Sequence, residues 1–414
     1  MSTHGFSRRG FLKGAGLALF GAGTLPGFLQ RASAQSRGGG RKVLVTLFLR
    51  GGADGLSLVP PLGDPDYARL RPNLALRARG DHAAPRLDDV FGLHPALGPL
   101  LPLWDAGALA VVHAVGQPGS TRSHFDAQDF LEAGTPGQRA SDGWANRALQ
   151  AYPNPDASTF RAVALQPRLP RALLGPAPAL AFNAVADFKL RAGRLSAVAA
   201  TSFEALYAQA VDEALNRTGG EAFGALRQVD QARIAELPPA HGAIYPRSPL
   251  GKRLQDIARL IRADVGLELA VTESGGWDTH VAQGAGQGQL ANRVKDLGEC
   301  LAAFATDLGD GLADVCLVAL TEFGRTAREN GNRGTDHGTA SAMLVLGGGV
   351  RGRRVLGSWP GLAEAQLFEG RDLRVTTDYR AVLGDVLLRV MGVGDVAAVF
   401  PGYVPPPGGG LGLF

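Results

Sequence analysis

Cysteine is scarce: Cys300 and Cys316 are the two in 414 residues, too few for the disulfide framework of a small secreted scaffold. Cys300 lies in a helical pattern whose apolar positions are Leu290, Val294, Leu297, Leu301, Phe304 and Leu308, and Cys316 lies in an apolar strand. Two buried thiols are therefore expected, with a single disulfide in an oxidising compartment as the alternative. No apolar run reaches the ~20 residues of a membrane span, and no internal repeat is present, which excludes solenoids and arrays. A charge surplus is also missing once the first segment is set aside. Lys and Arg number 42 against 38 Asp and Glu, and residues 1–34 hold Arg8, Arg9, Lys13 and Arg31 with no acid. Without those four, 38 basic residues face 38 acidic ones. No basic stripe points to nucleic acid, and no polybasic cluster points to anionic lipid.

What is there begins with an address. Ser7-Arg8-Arg9-Gly10-Phe11-Leu12-Lys13 precedes a glycine-softened apolar run from Gly14 to Leu29, and then Ala32-Ser33-Ala34. Paired arginines, an apolar stretch and a small-residue cleavage site, in that order, read as a twin-arginine (Tat) signal. A short membrane anchor is the alternative, opposed by the glycines and Pro26. Cleavage is expected after Ala34, with passage through the Tat translocase to the periplasm or beyond and no stable membrane anchor.

The rest is expected to be an α/β domain over residues 35–404. Val43–Leu49, Ala108–Val115, Leu267–Thr272, Val315–Leu320 and Ala342–Leu346 are continuous apolar runs, which suit a mostly parallel sheet covered on both faces. Helical patterns over Leu250–Val265 and Gln287–Leu308 supply crossovers, giving a three-layer α/β/α sandwich. Residues 152–245 read as an insertion or flanking helical region. Its part up to Ala186 is rich in Pro, Ala and Leu and resists assignment, and Ser196–Glu236 is helical in pattern. The tail 405–414 reads as a flexible extension.

Open α/β sheets place their sites at the carboxyl edge of the strands. Beside the strand ends lie Asp54; Asp278 and His280; Glu322; and Asp336 with His337, while the loop after Ala108–Val115 carries Thr121, Arg122, Ser123 and His124. Singly, each has a plain structural reading. Asp54 suits a turn, Trp277–His280 a loop with a helix cap, and Glu322 a pair with Arg325. Asp336 and His337 suit an exposed loop, and Ser123-His124-Phe125-Asp126 a capping box. Together, carboxylates and imidazoles at one edge repel or stay protonated unless a cation sits among them. Mixed Asp, Glu and His sets suit zinc, manganese or a similar divalent ion.

These segments carry a resemblance. Leu47–Ser57 (LFLRGGADGLS), Leu70–Leu76 (LRPNLAL), Phe91–Leu97 (FGLHPAL), Ala110–Gly116 (AVVHAVG), Arg122–Phe130 (RSHFDAQDF), Asp142–Leu149 (DGWANRAL), Gly275–His280 (GGWDTH), Leu320–Thr326 (LTEFGRT) and Gly334–Ser341 (GTDHGTAS) are similar to the exported bacterial family catalogued as domain of unknown function 1501. That family in turn resembles the alkaline phosphatase and sulfatase superfamily. The likeness implies an alkaline phosphatase-like fold. It makes Asp54 the metal-ligating Asp of the first strand and Ser123 the nucleophile at a helix N-terminus, with Thr121 behind it. Asp278, His280, Glu322, Asp336 and His337 become further metal ligands, for one or two ions. Phe323 stands where the superfamily places an imidazole or amide, and no C-x-P-S-R sequence is present, so no formylglycine nucleophile is implied. Thr376–Val393 looks like the superfamily's closing helix, with Asp378 as its cap.

The expected function is hydrolysis of a phosphate, sulfate or related anionic ester, with Arg122, His124 and the helix N-terminus stabilising the substrate oxygens. The alternative is an exported binding or assembly protein on the same fold. Members of the family often occur beside another exported family, which would be its partner.

Overall fold

The computed structural model describes residues 42–119, 121–187, 233–405 and 410–414. The signal-like segment and most of the helical pattern in Ser196–Glu236 lie outside them. Among the described residues nine strands form one sheet: β1 Val43–Leu49, β2 Leu109–Gly116, β3 Ala162–Leu165, β4 Leu180–Phe182, β5 Leu269–Ser274, β6 Val315–Leu320, β7 Ser341–Gly347, β8 Arg354–Leu356 and β9 Thr377–Asp378. Their order is β4-β3-β5-β1-β6-β7-β2-β8, with β9 beside β2. Pairing is parallel except at β7, which runs antiparallel to both β6 and β2.

Alternate residues of β1 feed two cores. Val43, Val45, Leu47 and Leu49 pack on one face, with α3 (Pro249–Arg262) and α4 (Gln289–Leu308) above them. Leu44 and Phe48 pack on the other, with α2 (Trp144–Ala151) and α5 (Tyr379–Val386). Every residue of β1 is buried, as a strand covered on both sides requires. The result is the three-layer sandwich. All six expected apolar positions of α4 are buried. Cys300 belongs to the first core and Cys316 to the second. Both are free and buried, on opposite faces of the sheet, which is why no disulfide joins them.

Three expectations need correction. The Pro- and Ala-rich stretch after Tyr152 is not an insertion over its first part, because β3 and β4 extend the sheet beyond β5. The tail is not free over its described end: Leu413 is fully buried, and its carbonyl accepts from Arg351 N. The strand around Ala342–Leu346 is reversed, a direction that an apolar pattern does not encode. As expected, Asp378 caps α5, its carboxylate accepting from Arg380 N at 2.9 Å.

The reversal of β7 matters for the site. β1, β2, β5 and β6 share one direction, so their carboxyl ends lie along one rim. Leu49 stands opposite Ser274, Phe48 opposite Leu320, and Val115 opposite Ser341. β7 starts where β2 ends, so the loop leading into β7 meets the loops leaving the other strands.

Candidate metal centre

Two glycines let those loops close on one another. Gly51 has φ +118°, and a Cβ there would lie 2.7 Å from Asp278 N. A Cβ on Gly324 would lie 1.7 Å from the Ala340 carbonyl. Only glycine permits either approach. Gly324 N donates to Thr339 O and Gly338 N to Gly324 O, both at 2.9 Å, which pins the loop after β6 against the loop before β7. α1 (His124–Ala133) brings His124 in at its first residue, with Ser123 as N-cap.

His124, Asp278 and His337 present ligand atoms that all lie within 4.8 Å of one another, a group able to hold a metal ion. His280 adjoins it. Its Nε2 is 2.9 Å from Asp278 Oδ1 and 2.9 Å from His337 Nε2. His337 Nε2 is 3.2 Å from Asp278 Oδ1, and His124 Nε2 is 3.4 Å from Asp278 Oδ2.

The opposite edge of each imidazole faces an oxygen. His124 Nδ1 is 2.8 Å from Glu322 Oε1, His280 Nδ1 is 3.3 Å from Asp336 Oδ1, and His337 Nδ1 is 2.8 Å from the Arg122 carbonyl. These oxygens only accept, so each Nδ1 carries a proton, and a ring that holds no second proton turns an Nε2 lone pair towards Asp278. Two such lone pairs cannot share the 2.9 Å between His280 and His337. One ring needs a second proton, or a cation must take its place. His124 Nε2 is buried without a hydrogen-bond partner among the described residues. Three imidazole Nε2 atoms beside a carboxylate, one of them orphaned, with oxygens holding their far sides, are the donor set of a transition-metal site.

Charge at the centre is arranged to match. Burial pushes the Asp278 carboxyl up, but the hydrogen bond and charge of Arg325, then His337 and His280, outweigh it and hold the group at about 2. Arg325 Nη2 donates to Asp278 Oδ1 at 2.6 Å and is shared with the carbonyls of Gly51 and Trp277, while Nε and Nη1 of this buried guanidinium donate to those of Gly52 and Thr335. Glu322 is fully buried. Hydrogen bonds from His124 and Gln128, with those from Gly51 N and Thr321, outweigh burial and lower its pKa. The Glu322 hydrogen bond in turn raises His124, while burial lowers His337. Asp336 is lowered first by its hydrogen bond from Asn330, at 3.1 Å. The Phe323 ring lies 4.7 Å from the His124 ring and 4.9 Å from the His337 ring, a wall behind both.

The structure thus separates residues that the sequence grouped. Asp278, His280 and His337 meet, and His124 joins them as a ligand candidate rather than as a stabiliser of substrate oxygens. Glu322 and Asp336 touch the centre through imidazoles and orient them. Asp54 is elsewhere: both its oxygens are taken by Arg71 (2.6 and 3.0 Å), with Ser57 and Gln283 adding hydrogen bonds at 2.6 and 2.8 Å. Its charge is matched by the Arg71 guanidinium rather than by an ion at the centre. Arg122 is not free for substrate, because its guanidinium pairs with Asp372 and Glu369 at 2.7 and 2.6 Å. Arg325 pairs with Asp278, not with Glu322. The Ser123 hydroxyl oxygen accepts from Asp126 N at 3.5 Å, and the Thr121 hydroxyl oxygen accepts from Ser123 N at 3.1 Å. Among the described residues neither hydroxyl is bonded to the centre.

Sequence reasoning gave Arg325 the wrong partner and missed Gln128 and Asn330. Gln128 lies four residues after His124, one helical turn on, so helical spacing alone puts both on one face. No helix among the described residues is long and apolar enough to cross a membrane.

No curated protein matches this sequence. The model of the family described as "Protein of unknown function (DUF1501)" matches residues 41–400, and over that span, most of its length, the chain belongs to that family.

Proposed function

We propose that the chain is an exported, divalent-metal-dependent hydrolase of a phosphate or sulfate ester, or a related anionic ester, with one ion held by His124, Asp278, His280 and His337. One observation carries the reading: three imidazoles, each held at Nδ1 by an oxygen, turn Nε2 towards one carboxylate. Zinc fits this nitrogen-rich set best, and manganese is the second candidate. A bound divalent ion would polarise the ester and lower the pKa of an attacking hydroxyl.

The protein's own groups supply the rest. Ser123, one residue before His124, keeps its hydroxyl proton because its oxygen is the cap acceptor. It is the proposed nucleophile, with Thr121 behind it. The positive end of the α1 dipole would favour the charge of the substrate oxygens. Arg325 keeps Asp278 ionised, and Phe323 shields the rear of two imidazoles from water. The order of strand-end motifs, similar to that of the alkaline phosphatase and sulfatase superfamily, supports the same class. Export by the Tat translocase after folding lets the centre take up its ion inside the cell, before tighter-binding ions compete.

Elemental analysis and an aryl-ester screen test this. The purified protein should hold about one equivalent of zinc or manganese and release phenol from aryl phosphates or sulfates. Asp278→Asn should lose both ion and turnover, and Ser123→Ala turnover alone. Less than one equivalent of any divalent ion, with turnover intact in Asp278→Asn, would sink the proposal.

One observation favours a second reading. Arg122 and Arg325 are both committed to protein oxygens, so neither guanidinium beside the centre is free to steady a transition state. On this reading the chain is a metal-holding assembly protein that works with another exported protein. A centre that holds its ion but turns over no aryl phosphate or sulfate would select it.

A further inference from the structure

We propose that a cleft on the far side of Asp336 is a second anion subsite, which seats an acidic group on an apolar body belonging to the same substrate. The reacting end of that substrate rests on the hydrolase reading above. The cleft itself rests on its own lining.

The cleft has a volume of about 280 Å³, at the lower end of small-ligand pockets and enough for a substituted ring. One wall is shared with the metal centre. Asp336 and Asn330 line the cleft, while Asp336 Oδ1 accepts from Asn330 and faces His280 Nδ1 at 3.3 Å. Asp336 therefore borders both the cleft and the metal centre. Three guanidinium groups line the cleft, from Arg69, Arg328 and Arg371.

The acids in and around its walls leave one of the three, Arg328, without an ion pair among the described residues. Glu329 holds Asn73 N and Leu74 N at 2.9 and 3.0 Å, as well as the Asn73 amide. Asp336 is engaged by Asn330 and His280, and Glu364 is exposed to solvent. Arg69 and Arg371 each have an acid nearby, Asp66 at 2.8 Å and Asp372 at 3.3 Å. Arg328 is exposed and has no ion pair among the described residues. A planar guanidinium fork without an acid suits a carboxylate or other oxyanion. Leu70, Leu362 and Leu367 also line the cleft, each 5% exposed or less, a narrow apolar base that favours a ligand with a hydrocarbon body over a bare inorganic ion.

4-Hydroxybenzoate and phenol, compared by ligand-observed NMR on the full chain, test the subsite with and without metal. 4-Carboxyphenyl phosphate against phenyl phosphate then tests the link to turnover. The parent should bind 4-hydroxybenzoate better than phenol in both metal states. Arg328→Ala should weaken the acid about fivefold or more without touching phenol, and Arg328→Lys should restore part of it. Metal content should not change in either variant, since Arg328 lies outside the centre. An acid preference of the same size in Arg328→Ala, or no preference in the parent, overturns the subsite. If the acid preference persists in protein that holds no metal and hydrolyses nothing, the hydrolase reading fails and the cleft stands. If metal and turnover are normal and 4-carboxyphenyl phosphate gains nothing over phenyl phosphate, the link between cleft and centre is overturned.

Discussion

Two groups of histidines in this molecule use their rings in opposite ways. At His94 and His113, Nδ1 accepts a backbone N–H, from Ala96 at 3.1 Å and from Ala114 at 2.8 Å. Their Nε2 atoms donate to the carbonyls of Ala285 and Val59 at 3.1 and 3.0 Å. Each ring bridges two backbone segments as a neutral strut with both nitrogens occupied, and burial drives each pKa down to about 4. At His124, His280 and His337 the Nδ1 atom donates to an oxygen and Nε2 faces Asp278. Burial separates the groups, His94 and His113 being buried and the other three part-exposed, and so does the role of Nδ1.

Two Asp–Arg pairs differ in the same sense. Asp54 and Arg71 are both fully buried, and every oxygen of Asp54 is taken. Asp278 is 43% exposed, with Arg325 on Oδ1. Breaking the closed pair should have the largest effect in the molecule. Asp54→Ala strands a guanidinium in the core, which costs about 3–5 kcal/mol, while the fraction that folds keeps its metal. Denaturant unfolding and elemental analysis read the two separately. A variant that kept its stability but lost the ion would return Asp54 to the centre.

Acid sharpens the histidine comparison next. The folded values of His94 and His113, about 4, lie below the ordinary 6.5, so as pH falls the unfolded chain takes up these protons first. Stability is complete above 6.5 and is lost as pH falls from 6.5 towards 4. At 1.36 kcal/mol per pKa unit the loss is of order 3 kcal/mol per ring. His124, whose pKa is raised, acts with the opposite sign and trims the total. Guanidinium unfolding of metal-stripped protein at several pH values across that window measures it. A flat profile would show that the two struts are not neutral.

The fold was legible where physics acts along the chain. Val43–Leu49 and Val315–Leu320 have the expected bounds, because a strand covered on both faces must be apolar throughout and glycine-rich loops end it. β3 and β4 have four and three residues, too short to stand out from a Pro- and Ala-rich background. At the rim, the strand-end rule gathered Asp278, His280, Glu322, Asp336 and His337, but not their roles. Whether a carboxylate is a ligand or holds an imidazole depends on distances of about an ångström, which spacing does not encode. Asp54 was misassigned for a related reason. Its partner Arg71, in the L-R-P-N segment, reaches back across a loop, and nothing local marks the pair.

The smallest predicted effect tests the centre most finely. Glu322→Gln keeps the shape of the side chain and most of its bonds. An amide oxygen in the Oε1 position still accepts from Gly51 N, Gln128 and His124. The amide NH₂ can donate to the Thr321 hydroxyl, which then turns its own proton to the Leu49 carbonyl, 2.7 Å away. Packing and stability should therefore change little. What is lost is the negative charge that makes the His124 ring more basic, and removing such an orienting partner typically weakens metal binding about 10- to 100-fold. Competition against a chromophoric chelator gives that ratio, and a thermal melt of the metal-free protein checks the fold. If affinity holds while the melt drops, Glu322 is a strut of the same kind as His94 and His113. If affinity falls and the melt holds, the histidines at the rim are set apart by the oxygens behind them.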